Sequence, residues 1–174
     1  ITDISLPKTT MSKQLFLIRH AQAEGMQSDI KDIGRILTNE GCRDAMRMGK
    51  LLFDEGHIPD LILSSIAERT RETTRYLCEQ LNYDFEKVAF TEDLYESPVR
   101  LMLSTINKVS DQQNTLFIVA HNPSISYLGE SLTGEFTGNM SPGAVLHLES
   151  SVNSWQEISQ DSCSLKKFYD PITL

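Results

Sequence analysis

The sequence predicts an α/β fold in a single domain, with a mostly parallel central sheet flanked by helices on both faces. Short apolar runs typical of buried strands occur at residues 14–19 (QLFLIR), 61–64 (LILS) and 115–120 (TLFIVA). Amphipathic patterns of helical spacing separate these runs. Strands that alternate with helices indicate parallel pairing through right-handed crossovers, and a length of 174 residues is typical of one domain.

The first half of the chain carries two strand and two helix signals. Gln14 to Arg19 is the first strand, and Thr38 is the expected N-cap of the first helix. The inward stripe of that helix is formed by Ala45, Met48, Gly49, Leu52 and Phe53. Leu61 to Ser64 is the second strand, after the breaker Pro59. The helix that follows is expected to bury Thr70, Thr73, Thr74, Leu77, Cys78 and Leu81.

The next part of the chain continues the alternation. Val88 to Thr91 is expected to form a third strand. Ser97 as N-cap and Pro98 at the first helical position predict another helix. Its inward positions are expected to be Val99, Met102, Leu103 and Ile106. The run at residues 115–120 is the strongest strand signal, and Pro123 is expected to open the last helix, carrying Ile125, Leu128 and Leu132.

The two ends of the chain complete the predicted organisation. Closing strands are expected at Gly143–Glu149 and Ser154–Ser159, joined by a polar turn around Asn153 and including an antiparallel pair. Residues 1–12 are interpreted as a leader or flexible extension, because Met11-Ser12-Lys13 offers an alternative start. Residues 1–10 lack the basic start and the apolar stretch of a signal peptide. Residues 13–174 are interpreted as the folded domain.

Composition limits the possible partners and the compartment. The net charge of −8 and the pI near 5.0 argue against nucleic-acid binding, which needs a basic face, but a small phosphate site can be locally basic on an acidic protein. No apolar run approaches the roughly 20 residues of a membrane span, so no membrane partner is expected. Three cysteines without metal-ligand spacing, Cys42, Cys78 and Cys163, are interpreted as reduced thiols of a cytoplasmic protein.

Polar and charged side chains follow each of the predicted parallel strands. Ligands of open α/β sheets bind in the crevice beyond the carboxyl ends of the strands. The residues expected at these ends, and so at one rim, are Arg19, His20, Ser64, Ser65, Arg69, Glu92, Asp93, Glu96, His121 and Asn122.

These side-chain types suit phosphoryl transfer. A guanidinium matches phosphate oxygens with two parallel donors, so Arg19 and Arg69 could hold a phosphoryl group and neutralise its charge. A neutral imidazole is a competent nucleophile toward phosphorus, and nearby arginines lower the pKa of a histidine. A second histidine can donate to the transferring oxygens, and a carboxylic acid can protonate the leaving group. The set therefore favours a covalent phosphoryl transfer that needs no metal or cofactor.

Five segments resemble the histidine phosphatase superfamily, whose other large branch is phosphoglycerate mutase. Arg19-His20-Ala21 is similar to its RHG/RHA signature. Residues 63–73 (LSSIAERTRET) are similar to its second block, SSP-x-x-R-A-x-Q-T, and residues 119–123 (VAHNP) to its third. Residues 35–38 (RILT) and 141–144 (SPGA) resemble the compact SixA-like phosphohistidine phosphatases in particular.

The resemblance spans residues 14–155 and implies a phosphoglycerate mutase-like fold with defined site residues. It implies His20 as the nucleophile, with Arg19, Arg69 and His121 completing the phosphate pocket. Asn122 and Arg35 are further candidates for phosphate contacts. The departures, which are Ile66, Thr70 and Glu72 in the second block, shape the turn and the helix start and remove no charged catalytic group.

The general acid is the least defined part of the predicted site. Leu94-Tyr95-Glu96 lies where the family has its L-x-E proton donor, which favours Glu96, with Glu92 as the second choice. A third alternative is an enzyme with no carboxylate donor, because SixA-like members vary here. The alternative that Glu96 is only a solvated surface carboxylate in an acidic loop also stays open.

Several charged and histidine side chains also have purely structural interpretations. Arg69 could pair with Glu68 or Glu72 on an exposed helix, and Arg35 could be a surface charge beside Asp32. His121 could be a satisfied core histidine, and His57 and His147 are interpreted as structural. A zinc site made from His20 and His121 is disfavoured, because no third ligand has suitable spacing.

The sequence thus predicts a metal-independent phosphatase that forms a covalent phosphohistidine intermediate at His20. The preferred substrate is a phosphorylated protein, such as a phosphotransfer domain that carries phosphohistidine, because the chain has no long insertion to enclose a small molecule. A phosphomonoesterase acting on a sugar or nucleotide phosphate is the alternative within this class. A non-catalytic phospho-ligand binding module is the alternative outside it. A P-loop nucleotide hydrolase is excluded, because the Walker motif is absent.

Overall fold

A computed structural model describes residues 11–135 and 138–174, so the predicted leader lies almost entirely outside the described residues. The helices and strands follow one another in alternation through most of the chain. In chain order they are β1 (Lys13–Arg19), α1 (Asn39–Asp54), β2 (Leu61–Ser65), α2 (Glu68–Leu81), β3 (Ala89–Thr91), α3 (Val99–Asn107), β4 (Thr115–Ala120), α4 (Ser124–Thr133), β5 (Val145–Ser150) and β6 (Ser164–Tyr169).

The strands form one six-stranded sheet in the order β3-β2-β4-β1-β5-β6. β1 pairs with β4, β4 with β2, and β2 with β3, all in parallel, whereas β5 is antiparallel to both β1 and β6. The predicted mostly parallel α/β architecture is therefore confirmed. Because β1, β2 and β4 are adjacent and parallel, their carboxyl ends meet at one edge of the sheet.

Two hydrophobic cores lie on the two faces of the sheet, and the alternation of side chains along β1 shows how they form. Leu15 and Leu17 face the core that includes α3 and α4, whereas Phe16 and Ile18 face the core that includes α1 and α2. All four side chains are at most 1% exposed. A strand covered on both faces reads as a continuous apolar run, which is why β1 was visible in the sequence.

The predicted closing strand at Ser154–Ser159 is wrong. Residues Trp155–Glu157 form a 3₁₀ turn, in which the Ser154 hydroxyl accepts a hydrogen bond from the Gln156 amide at 3.2 Å. Trp155 and Ile158, three residues apart, are both buried, and this is the spacing of a 3₁₀ turn rather than of a strand. The last strand is instead β6, an edge strand whose side chains are mostly exposed.

Two details of the predicted helices are wrong, and one is confirmed. Ser97 is not the N-cap of α3, because that position is taken by Pro98, while the Ser97 hydroxyl donates to the Tyr95 carbonyl at 3.1 Å. Phe53 is 40% exposed, since it lies one helical step beyond the fully buried Leu52. The predicted cap of α1 is confirmed: the Thr38 hydroxyl accepts from the Gly41 amide at 3.0 Å.

The three cysteines are free thiols, with Cys78 and Cys163 buried. Within the described part of the chain, no helix is both long and apolar enough to cross a membrane.

Candidate active site

The loop that follows β1 is held in place by its backbone on both sides. The His20 amide donates to the Ala120 carbonyl at the end of β4 at 3.1 Å, and the Gly143 amide donates to the His20 carbonyl at 2.9 Å. Gly143 has a φ of +81°, as required at the third position of a turn that begins Ser141-Pro142. The sequence SPGA thus forms a turn that fixes the predicted nucleophile.

The His20 imidazole presents a lone pair. Its Nδ1 lies 2.7 Å from the Ala21 carbonyl oxygen, which can only accept, so Nδ1 carries the proton and Nε2 is unprotonated. Burial lowers the pKa of His20 to about 4; the Ala21 hydrogen bond opposes this shift, and the charges of Arg69 and Arg19 add to it. The imidazole is therefore neutral at pH 7, with Nε2 able to act as a nucleophile.

Arg19, the last residue of β1, is anchored by one end of its guanidinium. Its Nη1 donates to the Met140 carbonyl at 2.6 Å. The same carbonyl accepts from the Asn122 side-chain amide at 3.0 Å. The Arg19 Nε is buried and has no hydrogen-bond partner among the residues that the structure describes. Arg19 is thus fixed in position while its Nε–H is left for a ligand.

Arg69, in the first turn of α2, is 4% exposed and is held by Asp32. Its Nη1 donates to the Asp32 carbonyl at 2.8 Å, and its Nη2 donates to Asp32 Oδ2 at 3.0 Å. The pairing with Glu68 or Glu72 is not seen among the described residues; Glu72 instead accepts from the Leu37 amide at 2.6 Å. The Arg69 Nε, like that of Arg19, is buried without a partner in the described ranges.

Asp32 is the centre of a small charged network. Its carboxylate contacts Arg35 at 2.9 Å and accepts from the Tyr95 hydroxyl at 2.9 Å, in addition to the contact with Arg69. Burial raises the pKa of Asp32, but the hydrogen bonds from Tyr95, Arg35 and Arg69 and the charge of Arg69 outweigh it, so that its pKa is lowered overall. Asp32 is therefore an ionised anchor that orients the Arg69 guanidinium.

His121 follows β4 and lies beside His20. The two ring centroids are 5.2 Å apart, and His121 Nε2 lies 2.8 Å from the Ser65 hydroxyl oxygen. Burial, together with the smaller effects of His20 and of the Arg69 charge, lowers the pKa of His121 to about 3. His121 Nδ1 is buried and has no partner among the described residues, so His121 is not a fully satisfied core histidine.

Three unpartnered nitrogen atoms mark the site. Across residues 11–135 and 138–174, the buried side-chain nitrogen and oxygen atoms without a hydrogen-bond partner are Arg19 Nε, Arg69 Nε and His121 Nδ1. Leaving a buried polar group unsatisfied costs about 1–3 kcal/mol. All three atoms belong to residues predicted to bind phosphate. A ligand with several acceptor oxygens and negative charge would satisfy them.

A cavity of about 360 Å³ opens beside these groups. Its lining consists of Asp32, Arg69, Leu94, Glu96, Ser97, His121, Asn122, Pro123 and Ser124. His20 and Arg19 do not line it, but the His20 ring lies beside the ring of the lining residue His121. Among the lining residues, Arg69, His121 and Asn122 are predicted to bind phosphate.

The cavity distinguishes the two candidate acids. Glu96 lines it together with Arg69 and His121, whereas Glu92 does not. Glu96 is exposed and has a φ of +49°, a conformation that costs a non-glycine residue about 1–2 kcal/mol. Strained residues of this kind cluster at functional sites. The role of Glu96 as the general acid stays a prediction that this position favours.

The two further phosphate-binding candidates are occupied by other contacts. The Asn122 side chain donates to Asn139 Oδ1 at 2.5 Å and to Met140, and it accepts from the Ser126 hydroxyl at 2.7 Å. Arg35 contacts Asp32 and donates to the Glu24 carbonyl at 2.9 Å. Asn122 lines the cavity and Arg35 does not, so their phosphate contacts stay predictions.

The remaining histidines lie away from this rim. His147 Nε2 lies 2.5 Å from Gln14 Oε1 and its ring stacks on Phe16, while His57 Nε2 lies 3.0 Å from the Tyr169 hydroxyl. These contacts agree with a structural role for both. In the part of the chain that the structure describes, no group of three or more His, Cys, Asp or Glu side chains could hold a metal ion.

Sequence reasoning missed three contributors to the site. Asp32 contacts Arg69 across a separation of 37 residues and Tyr95 across one of 63, and no local pattern signals such contacts. Ser65 was visible as a strand-end residue, but its contact with His121 was not. The position of Ser65 at the carboxyl end of β2 was the feature of the sequence that could have indicated its place in the site.

Comparison with known proteins identifies the family. The profile of the histidine phosphatase superfamily (branch 1) matches residues 15–99. An uncharacterised chloroplastic protein of Arabidopsis thaliana is 30% identical over 159 residues, which cover 87% of this chain and 72% of the relative. The chain belongs to the histidine phosphatase superfamily. An uncharacterised Mycobacterium leprae protein is 28% identical and covers 88% of this chain and 99% of its own length.

Solved structures of SixA proteins are similar in fold to this superfamily member. A protein of Agrobacterium tumefaciens assigned to the phosphohistidine phosphatases SixA aligns with a TM-score of 0.79 and 25% identity, over 91% of this chain and 98% of that chain. The protein histidine phosphatase SixA in complex with tungstate aligns with a TM-score of 0.78 and 19% identity, over 92% and 98%. A mycobacterial glucosyl-3-phosphoglycerate phosphatase aligns less closely, with a TM-score of 0.64 and 15% identity over 89% and 97%.

Proposed function

We propose that this superfamily member is a metal-independent phosphatase that transfers the phosphoryl group of its substrate to His20 Nε2 and then to water. The observation that carries the proposal is the set of three buried, unpartnered side-chain nitrogen atoms, Arg19 Nε, Arg69 Nε and His121 Nδ1. These are the contacts that a phosphoryl group with its several oxygens would complete. The unprotonated Nε2 of His20 beside them supplies the nucleophile.

The first step forms the bond between His20 Nε2 and phosphorus. The bond from phosphorus to the bridging oxygen or nitrogen of the substrate breaks, and its electron pair leaves with the leaving group. In the proposed role, a protonated Glu96 gives its proton to that leaving group across the cavity. Arg19, Arg69 and His121 donate to the phosphoryl oxygens while this happens, which stabilises the charge of the transition state.

The second step regenerates the enzyme. A water molecule attacks phosphorus, the bond to His20 Nε2 breaks, and the Glu96 carboxylate takes a proton from the water. Inorganic phosphate and a neutral His20 result. The hydrogen bond from His20 Nδ1 to the Ala21 carbonyl stabilises the positive charge that the ring carries as phosphohistidine.

Protein phosphohistidine is the proposed substrate. The SixA-like fold supports this choice, since one structurally similar protein is a protein histidine phosphatase. The cavity of about 360 Å³ accommodates a side chain and is large enough for a small metabolite as well. The similarity to a glucosyl-3-phosphoglycerate phosphatase therefore supports a small phosphorylated metabolite as the second candidate.

A turnover screen distinguishes these substrate classes. Phosphohistidine-carrying phosphotransfer domains, sugar phosphates and nucleotide phosphates are compared by release of inorganic phosphate, each with and without a chelator. The proposal expects the highest kcat/KM on phosphohistidine and no loss of activity on chelation. Binding of all three classes without turnover would instead identify a non-catalytic binding module.

The free thiols of the chain support the predicted cytoplasmic location, which stays a prediction.

A further inference from the structure

We infer that Ser65 is a positioning residue for phosphoryl transfer: its hydroxyl holds His121 in the tautomer that carries the proton on Nδ1, so that His121 donates to the phosphoryl group. The inference rests on the proposed function of the site, because it assigns a role within that reaction. It concerns the hydrogen bond at His121 Nε2, the ring nitrogen opposite the unpartnered Nδ1.

Ser65 has only one use for its hydroxyl proton among the residues that the structure describes. It is the last residue of β2 and is fully buried. Its Oγ lies 2.8 Å from His121 Nε2 and accepts a longer bond from the Ala67 amide at 3.4 Å. An amide N–H is a donor only. The acceptor within reach of the Ser65 hydroxyl proton is therefore His121 Nε2.

This contact decides where the His121 proton lies. A neutral imidazole has one N–H and one lone pair, and the hydrogen bond at one nitrogen determines the state of the other. If Nε2 accepts from Ser65, Nδ1 carries the proton, and Nδ1 is the buried atom of the ring that lacks a partner in the described ranges. The opposite tautomer would direct a lone pair at the phosphoryl oxygens and would leave the Ser65 proton without an acceptor there.

The two site histidines then share one tautomer and perform opposite tasks. His20 carries its proton on Nδ1 because the Ala21 carbonyl accepts there, and its Nε2 lone pair is left for phosphorus. His121 also carries its proton on Nδ1, but here the Nε2 lone pair is the atom tied to the protein. One ring presents a nucleophile and the other presents a donor, and Ala21 and Ser65 determine which.

The neighbouring serine provides a matched control. Ser64 is also fully buried in β2, and its Oγ donates to the Ser65 carbonyl at 3.1 Å and accepts from the Thr74 hydroxyl at 3.1 Å. Neither of these hydrogen bonds involves His121. Removal of either hydroxyl from β2 takes away one buried polar atom, but only Ser65→Ala removes the partner of His121 Nε2.

The experiment measures the tautomer directly. Nitrogen-15 NMR of the wild-type protein reports which ring nitrogen of His121 is protonated, assigned by loss of the signals in His121→Gln. We expect a protonated Nδ1 in the wild type and in Ser64→Ala, and a mixture of tautomers in Ser65→Ala. We also expect Ser65→Ala to lower kcat by about 10–100-fold, less than the roughly 10²–10³-fold of deleting a donor outright, and Ser64→Ala to lower it by less than about 3-fold.

Three results would overturn the inference, and the first of them does not depend on Ser65→Ala being well folded. That result is a wild-type His121 protonated on Nε2. Another is an unchanged tautomer in a folded Ser65→Ala, and the third is equal loss of kcat in the two serine variants. A wild-type protein without turnover on any phosphorylated compound would contradict the proposed function instead. In that case the tautomer of His121, measured by NMR in the wild type while tungstate is titrated, still tests whether Ser65 holds the proton on Nδ1.

Discussion

The imidazole rings of His20 and His121 lie 5.2 Å apart and are inclined to each other by 57°. The pKa is lowered to about 4 for His20 and to about 3 for His121, first by burial and then by the nearby arginine charges. Two neighbouring imidazoles surrounded by guanidiniums stay neutral because a further positive charge would be both buried and repelled. Burial and the arginine charges thus keep the nucleophile unprotonated.

The first prediction is a pH profile displaced toward acid. An ordinary histidine, with a pKa near 6.5, is mostly protonated at pH 5, whereas His20 is expected to stay neutral until the pH approaches about 4. The kcat/KM on p-nitrophenyl phosphate, whose leaving group needs no proton, reports the pKa of the free enzyme and should therefore persist at pH 5 and fall near pH 4. A fall centred near pH 6.5 would contradict the neutral nucleophile.

Stability has to be measured separately over the same range. Because the folded-state pKa values of His20 and His121 are lowered, the unfolded chain binds protons first as the pH drops below 6.5. The contribution of these two histidines to the free energy of unfolding should fall from about pH 6.5 to about pH 4 and level off below the folded pKa values. Denaturant unfolding at each pH separates loss of fold from protonation of the nucleophile.

The second prediction concerns the covalent intermediate. His20→Ala should abolish turnover, because among the described residues His20 alone presents an unprotonated imidazole nitrogen to the phosphate-binding donors. The wild type should carry a phosphoryl group on His20 that survives an alkaline quench and is lost in acid. The measurement is mass spectrometry of the protein quenched during turnover. His57→Gln, which alters a histidine bonded to Tyr169, is the control and should keep its activity; an active His20→Ala would remove the covalent mechanism.

The third prediction is that Arg69→Ala lowers kcat/KM by about 10²–10³-fold, the usual effect of deleting one transition-state donor. Its tungstate affinity should fall as well. Arg71→Ala is the control, since that guanidinium lies over the Phe90 ring at 4.0 Å, away from the site. Similar losses in the two variants would indicate a general effect of charge on α2 rather than a phosphate contact at Arg69.

Much of the fold and part of the site could be predicted because their signals are local. β1 and β4 are continuous apolar runs, and His20 and His121 directly follow them, so parallel pairing brings the two histidines to one edge. β6 was missed because an edge strand with mostly exposed side chains, SLKKFY, carries no clear apolar alternation. Asp32 was missed as an anchor of Arg69 because a contact across 37 residues depends on how the β1–α1 segment folds back.

The fourth prediction links a glycine of α1 to the loop after His20. A Cβ placed on Gly41 would lie 2.1 Å from the Gln22 carbonyl oxygen, so either the helix or the loop would have to move. Alanine normally stabilises a helix by about 1 kcal/mol relative to glycine. Here we expect Gly41→Ala to destabilise the protein by about 1–3 kcal/mol, the usual cost of overpacking.

Denaturant unfolding gives that change in free energy. Gly25→Ala is the matched control, because a Cβ there would meet no atom within 4 Å. The Gly41 variant should also lose activity, since Gln22 is two residues from the nucleophile. A Gly41→Ala protein as stable as the wild type would show that the contact relaxes without cost.

The last prediction tests Glu96 as the general acid. A general acid matters most when the leaving group is poor: an alkoxide needs a proton as its bond breaks, whereas a nitrophenolate leaves readily without one. Because Glu96 lines the cavity beside Arg69 and His121, Glu96→Gln should slow hydrolysis of alkyl phosphates by about 10²–10⁴-fold and slow p-nitrophenyl phosphate much less. The imidazole of phosphohistidine can leave already protonated, so the effect on a phosphohistidine protein should also be small.

The assay is therefore one variant on three leaving groups, with Glu92→Gln as the control because Glu92 does not line the cavity. A large effect confined to the alkyl phosphate, and only in Glu96→Gln, would assign the acid to Glu96. Equally small effects on all three substrates would reduce Glu96 to a surface carboxylate. The leaving group of such an enzyme would have to depart without help from a carboxylate, which restricts its efficient substrates to those that carry their own proton, as phosphohistidine does.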